Sequence, residues 1–178
     1  MEFEPDEPVN LYVKTSQQSL EYVQNYFKQI KEGLKIRKNY KEEIVICGHL
    51  SKQDYLSVLS QCHSFVMPSR GEGFCIPALE AMSMGIPVIY TEGTGMDDFC
   101  FGSAVESLKT PCFGAMSTMD YLYTSYEKWR EINMEELMIS MREVFMKWKS
   151  ELATEESRQA LEKSKEFSHK KIGLKLKE

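Results

Sequence analysis

The sequence predicts an α/β fold, a parallel sheet with helices on both faces. Three observations predict it. Short, unbroken, β-branched apolar runs recur along the chain and alternate with amphipathic stretches. The runs lack the alternation of polar and apolar residues that a half-solvated strand shows, so each reads as a strand covered on both faces. At 178 residues, 42% of them hydrophobic, the chain has the length and apolar content of one domain with a sizeable core.

The elements follow in order. An acidic leader over residues 1–8 precedes the apolar run from Val9 to Thr15, bounded by Pro8 and Ser16 and predicted as a strand. Leu20, Val23, Phe27 and Ile30 then stand at helical spacing, up to a turn near Gly33. Glu43 to Gly48 (EIVICG) is a second strand. The helix after it starts at Ser51, a predicted N-cap with Asp54 three residues on. SFVMPS is the third strand and Gly85 to Thr91 the fourth. From Asp97 to about Ser125 the periodicity loosens around Gly102, Pro111 and Gly114, which predicts loop and short strand pieces. A helical stretch opens at Asn133, with Leu137, Met141, Val144, Phe145 and Trp148 as its apolar stripe. Met134, Met138, Met141 and Met146 read as core filler.

Charge and composition exclude several classes of function. With 22 Lys+Arg against 27 Asp+Glu the net charge is -5, and a protein that tracks nucleic acid would show a basic excess, so no nucleic-acid partner is expected. No apolar run is long enough to span a bilayer and the N-terminus is acidic, which predicts no transmembrane segment and a cytoplasmic protein. The five cysteines (Cys47, Cys62, Cys75, Cys100, Cys112) form no C-x-x-C pair and read as reduced, partly buried thiols. His49, His63 and His169 have neither the helical pairing nor the cysteine partners of a metal site, so no metal is expected.

The chemistry concentrates in SFVMPSRGEGFCIPALEAMSMGIPVIYT. Pro68 cannot donate to a sheet ladder, so the chain leaves the sheet at the C-terminal end of a strand, where open α/β sheets bind ligands. Gly71 and Gly73 are expected to allow positive φ and close backbone approach to a ligand, and Pro77 suits the start of the next helix. Free amides from about Gly73 to Ile76 at that helix N-terminus would favour a pyrophosphate without needing a basic side chain. Arg70, the cation beside the loop, is expected to be solvated. Glu72 in the loop and Glu80 in the helix are acceptor-only groups able to take sugar hydroxyls.

The segment PSRGEGFCIPALEAMSMGIPVI resembles the E-x7-E signature of retaining glycosyltransferases of the GT-B fold, family 4, with Glu72 and Glu80 as the two acids. The resemblance extends upstream through EIVICGHLSKQDYLSVLSQCHSFVMPS and downstream through TEGTGMDDF, and more faintly through EKWREINMEELMISMREVF and EFSHKKIG. It implies a Rossmann-like, nucleotide-sugar-binding domain over 1–178, with C-terminal helices over 127–178. It also implies transfer of a hexosyl group, with retention, from a nucleoside diphosphate sugar to a sugar or lipid-linked acceptor. Carried over, Glu80 binds the ribose, Glu72 contacts the donor sugar as the catalytic acid of the pair, and Gly71, Gly73, Phe74, Cys75 and Ile76 line the diphosphate and sugar. His49 and Leu50 would sit near the base. No cofactor or metal is implied, the donor being a substrate. Family members often carry Gly where Cys75 stands, and Cys75 is expected to contribute its amide, not a nucleophilic thiol. Lys14 does not match the family's motif lysine. The chain is expected to lack the family's N-terminal acceptor domain, the first strand of the present domain and the Arg and Lys that neutralise the departing diphosphate. The alternative is a non-catalytic nucleotide-sugar-binding or assembly module acting with a partner chain.

Overall fold

A computed structural model describes residues 2–35, 41–112 and 126–176, which divide into two compact units, Met1–Val58 and Leu59–Glu178. The first holds β1 (Tyr12–Lys14), α1 (Leu20–Gly33), β2 (Ile44–Ile46) and all but the last residue of α2 (Lys52–Leu59). β1 and β2 pair in parallel, with Tyr12 opposite Ile44 and Lys14 opposite Ile46. The Ser19 hydroxyl caps α1 by accepting from the Tyr22 amide at 3.1 Å. Ser51 caps α2 as its sequence position predicts, accepting from the Asp54 amide at 3.1 Å and donating to the Asp54 carboxylate at 2.6 Å. On α1, Val23 is buried, whereas Leu20 and Ile30 stand exposed within the described residues.

The second unit carries β3 (Phe65–Met67), α3 (Ile76–Ser83), β4 (Val88–Thr91), a 3-10 turn (Gly95–Asp98), β5 (Gly102–Val105), β6 (Ser107–Pro111), β7 (Lys128–Ile132), α4 (Met134–Lys147), α5 (Glu151–Lys165) and α6 (His169–Lys175). β3, β4 and β5 form a parallel sheet in that order. Central β4 is buried at every position, as its apolar sequence requires. Its core joins Ile89, Val105 and Leu137, with Val66, Ile132, Met141 and Val144 packed around them. α3 packs on β3, β4 and α5, and α4 on β4 and β5, so helices flank the parallel strands. α3 ends where Gly85 takes φ +75, a left-handed conformation that only glycine adopts cheaply, and the Ile86 amide closes the turn on the Ala81 carbonyl.

The α/β fold expected from the alternating runs is what the structure has. It departs from the sequence reading in several places. The segment from 127 opens with strand β7, which pairs antiparallel with β6, Ser107 opposite Ile132 and Pro111 opposite Lys128. The helix itself opens at Asn133 as read from the sequence, since Asn133 accepts from the amides of Glu135 and Glu136 and caps α4. The long helical stretch is broken at Ser150, whose hydroxyl caps α5 through the Ala153 amide. Gly71 and Gly73 are absent from the positive-φ glycines, which are Gly48, Gly85, Gly93 and Gly102. Met134 and Met146 are exposed, while Met138 and Met141 are half-buried. The stripe residue Trp148 is also exposed, its ring edge-on to His63 at 4.7 Å. All five cysteines are unbridged, Cys75 and Cys112 buried and the others half-buried. The stretch 113–125, part of the expected loop, lies outside the described residues. No described helix is long and apolar enough to cross a membrane.

Candidate functional site

β3 stops at Met67 and Pro68 turns the chain out of the sheet. The loop that follows runs to Cys75, the N-cap of α3, whose side chain makes no capping hydrogen bond. The Cys75 carbonyl accepts from the amides of Ala78 and Leu79, at 3.1 and 3.2 Å, closing the first turn. Among the described residues the amides of Gly73, Phe74, Cys75 and Ile76 have no acceptor, and no acidic side chain stands in the first turn of α3. Pro77 sits within the first two positions, where its missing N–H costs nothing. A helix start with unsatisfied amides carries roughly half a positive charge and binds anions.

The two loop glycines and Gly95 are held differently. A Cβ built on Gly71 or Gly73 would meet no atom within 4 Å, so the fold itself does not demand glycine there. Space over both backbones is open. Gly95 is the opposite case: its Cβ would fall 1.9 Å from the Gly73 carbonyl oxygen, and its amide donates to the Glu72 carbonyl at 2.9 Å. Gly95 thereby fixes the peptide on which Glu72 is carried. Sequence reasoning missed it, although it lies in the TEGTGMDDF segment, where two glycines closely follow a buried strand.

Glu72 and Glu80 are both half-buried, one in the loop and one in the second turn of α3. Phe74 is exposed and rests its ring on buried Phe99, centroids 4.4 Å apart, with Phe167 at 6.1 Å. Burial pushes the Cys75 thiol above its ordinary range, the nearby Ala78 backbone amide opposes this, and the charge of Glu72 adds to the rise. A nucleophile would need the reverse. Burial likewise pushes the Cys100 thiol up to about 12, with Cys75 and Asp97 contributing.

Arg70 is exposed, as expected, but its guanidinium is also partnered. Its guanidinium forms a two-pronged pair with Glu131, at 3.0 and 3.1 Å, and lies over the Trp129 ring, 4.4 Å from the centroid. The reason is the β6–β7 hairpin, which brings a carboxylate and an aromatic face to a residue 61 positions earlier.

Gly71, Glu72, Gly73, Phe74, Cys75, Ile76 and Glu80 thus share one loop-and-helix segment of the second unit. His49 and Leu50 belong to the first unit, His49 exposed and Leu50 half-buried just after β2. Beside them the Lys14 ammonium donates to the backbone carbonyls of Gly48 and Thr15, so it ties the two strand ends together.

A family model described as glycosyl transferases group 1 matches residues 17–106. The chain is 26% identical over 131 residues to "Putative glycosyltransferase 48" of Sulfolobus islandicus filamentous virus, an alignment covering 71% of this chain and 39% of that protein. It is 29% identical over 73 residues to the serotype-specific mannosyltransferase WbdA of Escherichia coli, covering 39% of this chain and 9% of that protein. The chain therefore spans well under half the length of either relative.

Proposed function

The chain belongs to the glycosyl transferases group 1 family, and from that premise we propose that it is the donor-binding half of a retaining GT-B glycosyltransferase. It holds a nucleoside diphosphate sugar for transfer of the hexosyl group to a sugar or lipid-linked acceptor. The observation that carries this reading is the row of acceptor-less amides from Gly73 to Ile76 at the start of α3, reached over open space at Gly71 and Gly73.

A diphosphate seated there would take the amides of the loop and the partial charge of the helix start, which an acidic chain can supply without a basic patch. In this reading Glu80, one turn further along α3, accepts from ribose hydroxyls, and Glu72, on the loop ahead of the amides, from the hydroxyls of the transferred sugar. Phosphate binding in this scheme calls for no metal. The mannosyl transfer named for the Escherichia coli relative favours a hexose as the transferred group.

Isothermal titration of the chain with UDP, GDP and their mannose and glucose conjugates tests the reading. Binding of at least one of them, weakened by Glu80→Gln, is the expected result. No heat with any of these ligands, or unchanged affinity in Glu80→Gln, overturns it.

A further inference from the structure

The β6–β7 hairpin stands apart from the parallel strands, yet its contacts end on the two loops that frame the α3 amides. Arg130 of β7 makes two of them. Its backbone amide donates to the Arg70 carbonyl at 2.8 Å, immediately before Gly71. Its guanidinium Nε donates to the Gly93 carbonyl at 3.2 Å. The packing there is close: a Cβ on Gly93 would fall 2.1 Å from Arg130 Cζ, so glycine makes the room that the guanidinium fills. Among the described residues Arg130 forms no ion pair, so its side chain is committed to this carbonyl.

β6 holds the same loop from its other strand. The Ser107 hydroxyl donates to the Glu92 carbonyl at 2.7 Å. From Gly93 the chain runs two residues to Gly95, whose amide binds the Glu72 carbonyl at 2.9 Å. Glu72 is therefore gripped from two sides. Ahead of it in the chain, Arg70 is pinned to β7; across from it, Gly95 is pinned through Gly93 and Glu92 to the hairpin.

We propose that Arg130 is a positioning residue for the donor loop, stapling the 70–73 and 92–95 loops together so that Glu72 and the Gly73–Ile76 amides are presented in one fixed arrangement. It acts through the Gly93 carbonyl and the Arg70 carbonyl, without touching the ligand. The assignment rests on the donor-site reading above for its consequence in binding, but the staple itself is measurable without ligand.

The experiment compares Arg130→Ala, Arg130→Lys, Ser107→Ala and, as a control, Lys147→Ala, which breaks the Lys147–Glu156 pair of 2.9 Å between α4 and α5. Amide hydrogen exchange of Gly95 in the ligand-free chain is the first readout. Losing one hydrogen bond of the staple should speed that exchange about three- to tenfold in Arg130→Ala and Ser107→Ala. Arg130→Lys, which keeps a donor, should recover part of the protection, and Lys147→Ala should leave it unchanged. The second readout is affinity for UDP and GDP and for the matching monophosphates, expected to fall about three- to tenfold in Arg130→Ala for mono- and diphosphate alike. Unchanged Gly95 exchange overturns the staple, as does a rise in exchange spread equally over the β4 and β5 core. A loss confined to the diphosphate and steep in salt would make Arg130 a direct phosphate ligand and overturn the positioning role. If the parent chain binds none of the nucleotides, the donor-site reading fails and the exchange data alone decide the staple.

Discussion

Gly95 and Gly73 face each other, and alanine at each should do opposite things. At Gly95 a Cβ would sit 1.9 Å from the Gly73 carbonyl oxygen, 2.8 Å from its carbon and 2.9 Å from the Glu72 oxygen, all main-chain atoms with no rotamer to yield. Bringing the nearest contact to 3.0 Å, below which real Cβ atoms essentially never go, means parting the two loops by about 1 Å. That would stretch the Gly95 amide to Glu72 carbonyl bond, now 2.9 Å, beyond hydrogen-bonding length. Overpacking costs about 1–3 kcal/mol and the lost bond about 0.5–1.5 kcal/mol, so Gly95→Ala should destabilise the chain by about 2–4 kcal/mol. At Gly73 the same methyl group meets nothing within 4 Å and φ is not positive. Gly73→Ala should leave stability unchanged or raise it by up to about 1 kcal/mol through the unfolded state. The open space it fills is where the ligand backbone contact is proposed, so Gly73→Ala should weaken nucleotide binding about tenfold or more, the equivalent of about 1.4 kcal/mol. Urea unfolding at constant slope measures the first quantity and calorimetry the second. Equal destabilisation by the two substitutions, or full nucleotide affinity in Gly73→Ala, would refute the reasoning.

Three further outcomes are expected. Glu80→Gln should cost about 1.5–3 kcal/mol in affinity for the free nucleoside diphosphate, whereas Glu72→Gln should weaken only the sugar conjugate; equal losses for the free nucleotide would show that the two acids do not divide the ligand. Arg70→Ala should lower stability by about 0.5–2 kcal/mol, since its pair with Glu131 is largely exposed and its stacking on Trp129 adds a cation–π term, while nucleotide affinity should change by less than about 1 kcal/mol. The Cys100 thiol is raised from 9.0 to about 12 and the Tyr90 hydroxyl from 10.0 to about 12, each chiefly by burial. Above pH 9 the unfolded chain loses these protons and the folded chain keeps them, so stability should fall as pH rises from 9 toward 12. Melting curves across that window should flatten in Cys100→Ser, and an unchanged slope would locate the alkaline sensitivity elsewhere.

Much of this molecule is written in short stretches of chain. The apolar runs at Val45, Val66 and Val88 read as strands from their unbroken apolarity and are strands, but of the three only that at Val88 is buried throughout, the others being half-buried with Ile44 exposed. Ser51 and Asn133 read as helix starts because a cap bonds an amide two or three residues ahead. The loop from Gly71 to Ile76, opened by Pro68 and closed by Pro77 and Glu80, is legible as a loop between strand and helix because those signals lie within a dozen residues, although the positive φ expected at Gly71 and Gly73 is absent. The resemblance then attached a donor and roles to residues whose positions were already plain.

Other features depend on partners far along the chain, and no local pattern names a partner. The antiparallel pairing of β6 with β7 joins residues on either side of 113–125, a stretch without helical or strand periodicity. Arg70 looks like a surface cation until that hairpin places Glu131 and Trp129 against it. Gly95 looks like an ordinary turn residue until the Gly73 carbonyl arrives beside it. Exposure of Met134 and Met146 follows from which face of α4 meets β4 and β5, a choice that methionine's flexibility leaves open. Sequence determined most of the elements and the position of the binding loop, because caps and turns there close over a few residues, but not strand β7 or the break at Ser150. Tertiary structure alone decided what braces that loop, because closing a contact across 37 or 61 residues depends on the whole core that lies between.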